Sequence, residues 1–136
     1  MHIHPLRLLP GQDLKQEIQA FARRESMSAG WMLTCVGSLT QFHLRYANQP
    51  HGSRGQGHFE ILSLVGTLSL HGLHLHLCLG DEQGRTLGGH LLEGNLIYTT
   101  AELVIGSSPD FVFTRQHDGS TPYPELHIQP KQKPAR

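Results

Sequence analysis

Leu73-His74-Leu75-His76-Leu77-Cys78-Leu79 decides how this chain is read. Leucine at every second position fits a strand, whose successive side chains point to opposite faces, and misfits a helix, whose apolar stripe recurs every three to four residues. One face is then a leucine layer packed on a core, and the other carries His74 and His76. The stretch Gly80-Asp81-Glu82-Gln83-Gly84 is rich in turn formers and can fold the chain back as a hairpin, bringing Gly88-Gly89-His90 alongside the first pair. Three neutral imidazoles converging in this way suit Zn²⁺, and three His ligands leave a further position for water, substrate or a group from another subunit. The residues alone favour an ordinary polar face, because 11 histidines in 136 residues produce His-x-His pairs without a common purpose, as in His2-Ile3-His4. Cys78 shares the face of the two histidines, either as a fourth ligand or as a small buried thiol.

Outward from this hairpin, Phe59 to Leu68 is apolar enough for a central strand, with Leu62, Leu64, Leu68 and Leu70 on one face and Ile61, Ser63, Val65 and Thr67 on the other. Both faces want cover: one from a helix, the other from a second subunit or a second layer. Asn48 to Gly57 reads as a loop, and Trp31 to Leu39 and Gln41 to Tyr46 as successive strands. Ile3 to Leu9 is a short strand ended by Pro10-Gly11. Asp13 then caps a helix, with Gln16 three residues on and Leu14, Ile18, Phe21 and Ala22 as its buried stripe. Downstream, Asn95 to Ile105 and Phe111 to Arg115 are strands. The order is helix-poor and strand-rich without regular βαβ alternation, which predicts an α+β fold: a large, mainly antiparallel sheet with one principal helix packed on it. Residues 1–128 form one domain and residues 129–136 a basic, disordered tail.

Lys plus Arg equals Asp plus Glu at 11 each, so charge gives no field that would draw polyanions from a distance. Cys35 and Cys78 sit in apolar runs, and the start Met1-His2-Ile3-His4-Pro5 has no secretory pattern, so free thiols in a reducing cytoplasm are expected. Charges, glycines or histidines interrupt every apolar run before the roughly 18 residues that a bilayer span needs, so no membrane association is expected.

Taken together in order, Leu9-Pro10-Gly11-Gln12-Asp13-Leu14, Phe21-Ala22-Arg23-Arg24, Val36-Gly37-Ser38-Leu39, the run from Gly57 to Leu68, and Gly88-Gly89-His90-Leu91 resemble the plants-and-prokaryotes-conserved (PPC) domain. That domain is found alone in bacteria and archaea and joined to AT-hook motifs in plant nuclear proteins. The resemblance covers most of the chain. It implies a bacterial, stand-alone member, a homotrimer, and a match of His74, His76 and His90 to a metal-binding histidine trio, commonly with zinc. His58 stands where the family usually has a basic residue, and no Arg-Gly-Arg-Pro core occurs, so DNA binding here is an association carried by the family.

The remaining candidates each have two readings. Arg23 and Arg24 either contact phosphates, in three copies if the chain is trimeric, or oppose the helix dipole at its C-terminal turn. Glu60 is either a plain surface carboxylate or one that orients a ligating imidazole or serves as a base near it. Gly88 and Gly89 suggest a bulge or bend, since nothing else of a phosphate loop accompanies them. Two functions are therefore carried forward. The first is a noncatalytic, trimeric PPC protein, associated with DNA or a regulatory partner, whose histidine trio holds zinc. The second is a zinc-dependent small-molecule binder or enzyme using the open metal position, with no catalytic residue assignable from sequence.

Overall fold

The computed structural model describes residues 1–132. Six strands, β1 (His2–Leu8), β2 (Gly30–Arg45), β3 (Ser53–Ser69), β4 (Gly72–Gly80), β5 (Thr86–Leu91) and β6 (Leu96–Ser107), form one antiparallel sheet in the order β1-β6-β2-β3-β4-β5. The far edge curls back, because β5 also pairs with the end of β2 through Leu44–Leu91 and Arg45–His90. Strands β2 to β5 thus close a ring, which removes the open edge beside the histidines. A second sheet is the hairpin β7 (Phe111–Gln116) and β8 (Glu125–Pro130).

The helix α1 (Leu14–Arg24) starts where expected. Asp13 Oδ1 accepts from the Gln16 backbone N–H at 3.1 Å, while its Oδ2 accepts from the Gly94 N–H at 2.6 Å. Leu14, Ile18, Phe21 and Ala22 are its buried residues, and they pack with Leu39, Leu64, Leu68, Leu103 and Ile105 in a single core. The Asn95 side chain, fully buried, accepts from the His43 N–H at 3.0 Å and donates to the His43 and Leu92 carbonyls at 3.0 and 2.6 Å. With all three bonds made, it locks the β5–β6 connection to β2 without an unpaired polar group.

Four sequence expectations are corrected. Trp31–Leu39 and Gln41–Tyr46 are one strand, β2, with an irregular register around Thr40 in place of a break. The loop after Asn48 ends early, since β3 begins at Ser53. A bulge between Ile61 and Ser63 shifts the alternation of β3, so Ile61, Leu64 and Leu68 are buried while Leu62 and Val65 face outward. Gln129 and Pro130, placed in the tail from sequence, end β8, and of that tail residues 133–136 lie outside the described residues. Among the described residues no helix is long and apolar enough to cross a membrane.

Candidate metal centre and adjoining cleft

The alternation read in Leu73–Leu79 holds: Leu75, Leu77 and Leu79 are buried, and His74 and His76 stand exposed on the other side. The hairpin also forms. Asp81 Oδ1 accepts from the Gln83 and Arg85 backbone N–H groups, both at 2.9 Å, which closes the turn and sets β5 against β4 with His90 directly opposite His76. Gly88 and Gly89 lie within β5 and mark close strand approach in place of a bulge: a Cβ there would come 2.9 Å from the Leu77 carbonyl and 2.7 Å from the Arg45 carbonyl.

The three rings consequently meet. One ligand-capable atom from each of His74, His76 and His90 lies within 4.8 Å of the others, and the His74 and His76 Nε2 atoms are 3.2 Å apart. Ring centroids are separated by 5.0, 5.3 and 5.8 Å. Burial, then the neighbouring Arg45 guanidinium, brings His90 down to about 4, and burial, then His76 and Arg115, lowers His74 from its ordinary value. Both are therefore neutral near pH 7, the form in which an imidazole offers a lone pair to a cation. A donor set of three neutral nitrogens on one side of a sheet could hold a metal ion.

Other sequence candidates fall elsewhere. Cys78 is half-buried across from Gly88 and is outside the histidine cluster. Cys35 is buried, which pushes its thiol up to about 12. Glu60 pairs with Gly80, four residues beyond His76 and so roughly 13 Å along the strand. It lines a groove with His58, Glu82 and Tyr98, where His58 Nδ1 lies 3.3 Å from Glu82 Oε1. Arg23 and Arg24 are exposed in the last turn of α1, Arg24 lying 5.2 Å from the Phe21 ring centroid and 3.8 Å from Glu25.

The carboxylate that does stand near the histidines is Glu125, whose charge acts on His74. It comes from β8, a strand the sequence reading did not foresee. The hairpin β7–β8 lies against the outer face of the sheet, tied by Arg115 Nη2 donating to Thr67 Oγ1 at 2.9 Å and by the Ser69 hydroxyl donating to the Phe113 carbonyl at 2.8 Å. Thr67 is the register partner of His74, so the hairpin roofs the site itself. Between roof and sheet is a cleft of about 300 Å³ lined by Arg45, His74, His90, Arg115, Tyr123 and Glu125, among others. The alternating Thr114-Arg115-Gln116 end of β7 was a weak signal for this. Pro122-Tyr123-Pro124 masked the strand that follows it.

Comparison with known proteins agrees with this architecture. The bifunctional protein GlmU of Synechococcus sp. (strain JA-3-3Ab) is 53% identical over 129 residues, which is 95% of this chain and 21% of that protein. The chain thus spans about a fifth of that relative's length. A hypothetical protein of Salmonella cholerae-suis has a similar structure at a TM-score of 0.94 and 44% identity, covering 96% of this chain and 95% of the other. A candidate DNA-binding protein of Bacteroides thetaiotaomicron (TM-score 0.81, 19% identity, 93% and 91% covered) shares the fold. So does a metal-containing protein of Archaeoglobus fulgidus (TM-score 0.77, 24% identity, 93% and 94% covered). Residues 1–109 match the family model of the Plants and Prokaryotes Conserved (PCC) domain, and with most of its length so matched, the chain belongs to that family.

Proposed function

We propose that this protein binds zinc through His74, His76 and His90, assembles as a homotrimer, and acts in association with DNA or a regulatory protein partner. The observation that carries the metal reading is the mutual approach of the three imidazoles to within 4.8 Å. Zinc tolerates flexible geometry and favours nitrogen donors, which suits this set, and when bound it supplies a Lewis acid with a free position. The chain's own part is to present the nitrogens unprotonated and to fasten β4 to β5 behind them. The name of the Archaeoglobus protein supports a metal, and that of the Bacteroides protein supports DNA association. Arg23 and Arg24 are the cations we assign to phosphate contact, in three copies per trimer. The two free cysteines suit a reducing cytoplasm.

Elemental analysis of protein purified without affinity tag or chelator tests the metal. The expected result is near one zinc per chain, lost in His76→Ala; metal-free protein whose melting does not respond to added zinc would defeat it.

A second reading, a zinc-dependent small-molecule binder or enzyme, is favoured by the cleft that opens on His74 and His90. A DNA mobility shift at physiological salt separates the two. Retardation that survives His76→Ala and weakens when Arg23 and Arg24 are changed to Ala supports the first, and no retardation supports the second.

A further inference from the structure

We infer that the cleft beside the histidines is a binding site for a small hydroxycarboxylate, held by Arg45 and Arg115, with Glu125 accepting from its hydroxyl; the inference rests on the zinc reading of His74, His76 and His90. Arg45 from β2 and Arg115 from β7 approach the cleft from its two walls, and both are half-buried. Among the described residues neither has a carboxylate oxygen within 4.0 Å. Arg115 gives one N–H to Thr67, and Arg45 lies 5.7 Å from the centroid of the Tyr123 ring. A guanidinium carries five donors in a planar fork that matches a carboxylate edge to edge. Glu125 is the carboxylate whose charge acts on Arg115, so two guanidiniums drawn partly out of water share one counter-charge and leave a place for an anion between them.

The rest of the lining narrows the class. Two guanidiniums, together with the dication that His74 and His90 would hold, stand against the single carboxylate of Glu125, so the cleft is net positive and suits an anionic ligand. Glu125 accepts from the Thr121 hydroxyl through Oε1 at 2.5 Å, and an ionised carboxylate is acceptor-only, so the ligand that complements it there carries a hydrogen-bond donor, a hydroxyl in the class inferred. A volume of about 300 Å³ lies at the small end of ligand sites and fits a molecule of a few carbons. His74 and His90 line the cleft, so a bound carboxylate or hydroxyl oxygen would also lie next to an ion that those residues would hold.

Isothermal titration of the full chain, zinc-loaded, with L-lactate, propionate, L-malate, succinate and inorganic phosphate tests this. The expected result is that each hydroxy acid binds at least about tenfold more tightly than its deoxy analogue, because a site built around a hydroxyl rejects ligands lacking it. Arg45→Met and Arg115→Gln should each weaken lactate or malate about tenfold or more while zinc content stays at the wild-type value; Arg115→Gln also gives up the bond to Thr67, so Arg45→Met is the variant whose melting temperature should be unchanged. Equal binding in both variants, tighter binding of phosphate, or no binding of either hydroxy acid by zinc-loaded protein overturns the proposal and leaves the metal centre standing. Failure of the wild-type chain to take up zinc overturns the metal centre first and this inference with it.

Discussion

At the residue scale, the protonation of two imidazoles sets when the histidine trio can offer its lone pairs to a cation. The His90 ring, brought down to about 4 by burial and by Arg45, and His74, lowered for similar reasons, are neutral in the fold, whereas in the unfolded chain each titrates near its ordinary value of about 6.5. The unfolded state therefore binds more protons once the pH drops below about 6.5, and stability falls from there down to the folded value near 4, with no loss above neutrality. Calorimetry of metal-free protein should show a melting temperature level from pH 7 to 8 and declining from pH 6.5 toward 4. His90→Gln should make that decline shallower, and an unchanged slope in the variant would mean that His90 is not the group responsible. Zinc-loaded protein should lose stability over the same direction of pH more steeply, since protons then compete for the donor nitrogens.

At the element scale, the part of the site on β4 and β5 was legible in advance because period-two leucines and a turn-rich pentapeptide each have one strong structural meaning, and together they place His90 beside His76. The helix was legible for the same reason, with Asp13 and the Leu14, Ile18, Phe21, Ala22 stripe agreeing. Two things were not. The bulge after Ile61 turns Leu62 outward and Ile61 inward while Leu64 and Leu68 stay in the core, and a single inserted residue leaves no trace in composition. Glu125 and Arg115 reach the histidines only through the docking of β7–β8, a long-range event resting on hydrogen bonds to Thr67 and Ser69 that no local pattern announces. Next to Thr67, β3 and β4 lie close at Gly66, which has φ +138° and where a Cβ would collide with the His74 carbonyl oxygen. Gly66→Ala should cost about 1–3 kcal/mol of stability, from a backbone conformation that L side chains rarely adopt. Because the displaced backbone belongs to His74, zinc affinity should fall as well. Denaturant unfolding and a competitive zinc titration measure the two effects, and a variant of wild-type stability would show that β4 can move aside freely.

At the scale of the whole molecule, the curled sheet hides the leucine layer and leaves a different apolar surface uncovered. Leu33 and Val36 on β2 are 45% and 55% exposed, and Leu62 and Val65 on β3 are 53% and 55% exposed. Val36 precedes Gly37, whose partner is Ile61, and Leu62 follows Ile61, so the two strands present these side chains as one patch. A grouped apolar patch on a sheet face is the signature of an interface, where scattered single residues would need no explanation. The trimer proposed above would use it, and each subunit of 15.1 kDa would then contribute one histidine centre to the assembly. Light scattering on the intact protein should return three times the chain mass. Replacing Val36 and Leu62 together by Glu places two charges in the patch without touching the core or the neighbours of His76, so the mass should drop to that of one chain while the zinc content per chain holds. A wild-type mass of one chain would remove the trimer, and a Glu variant that keeps the trimeric mass would move the interface to another face.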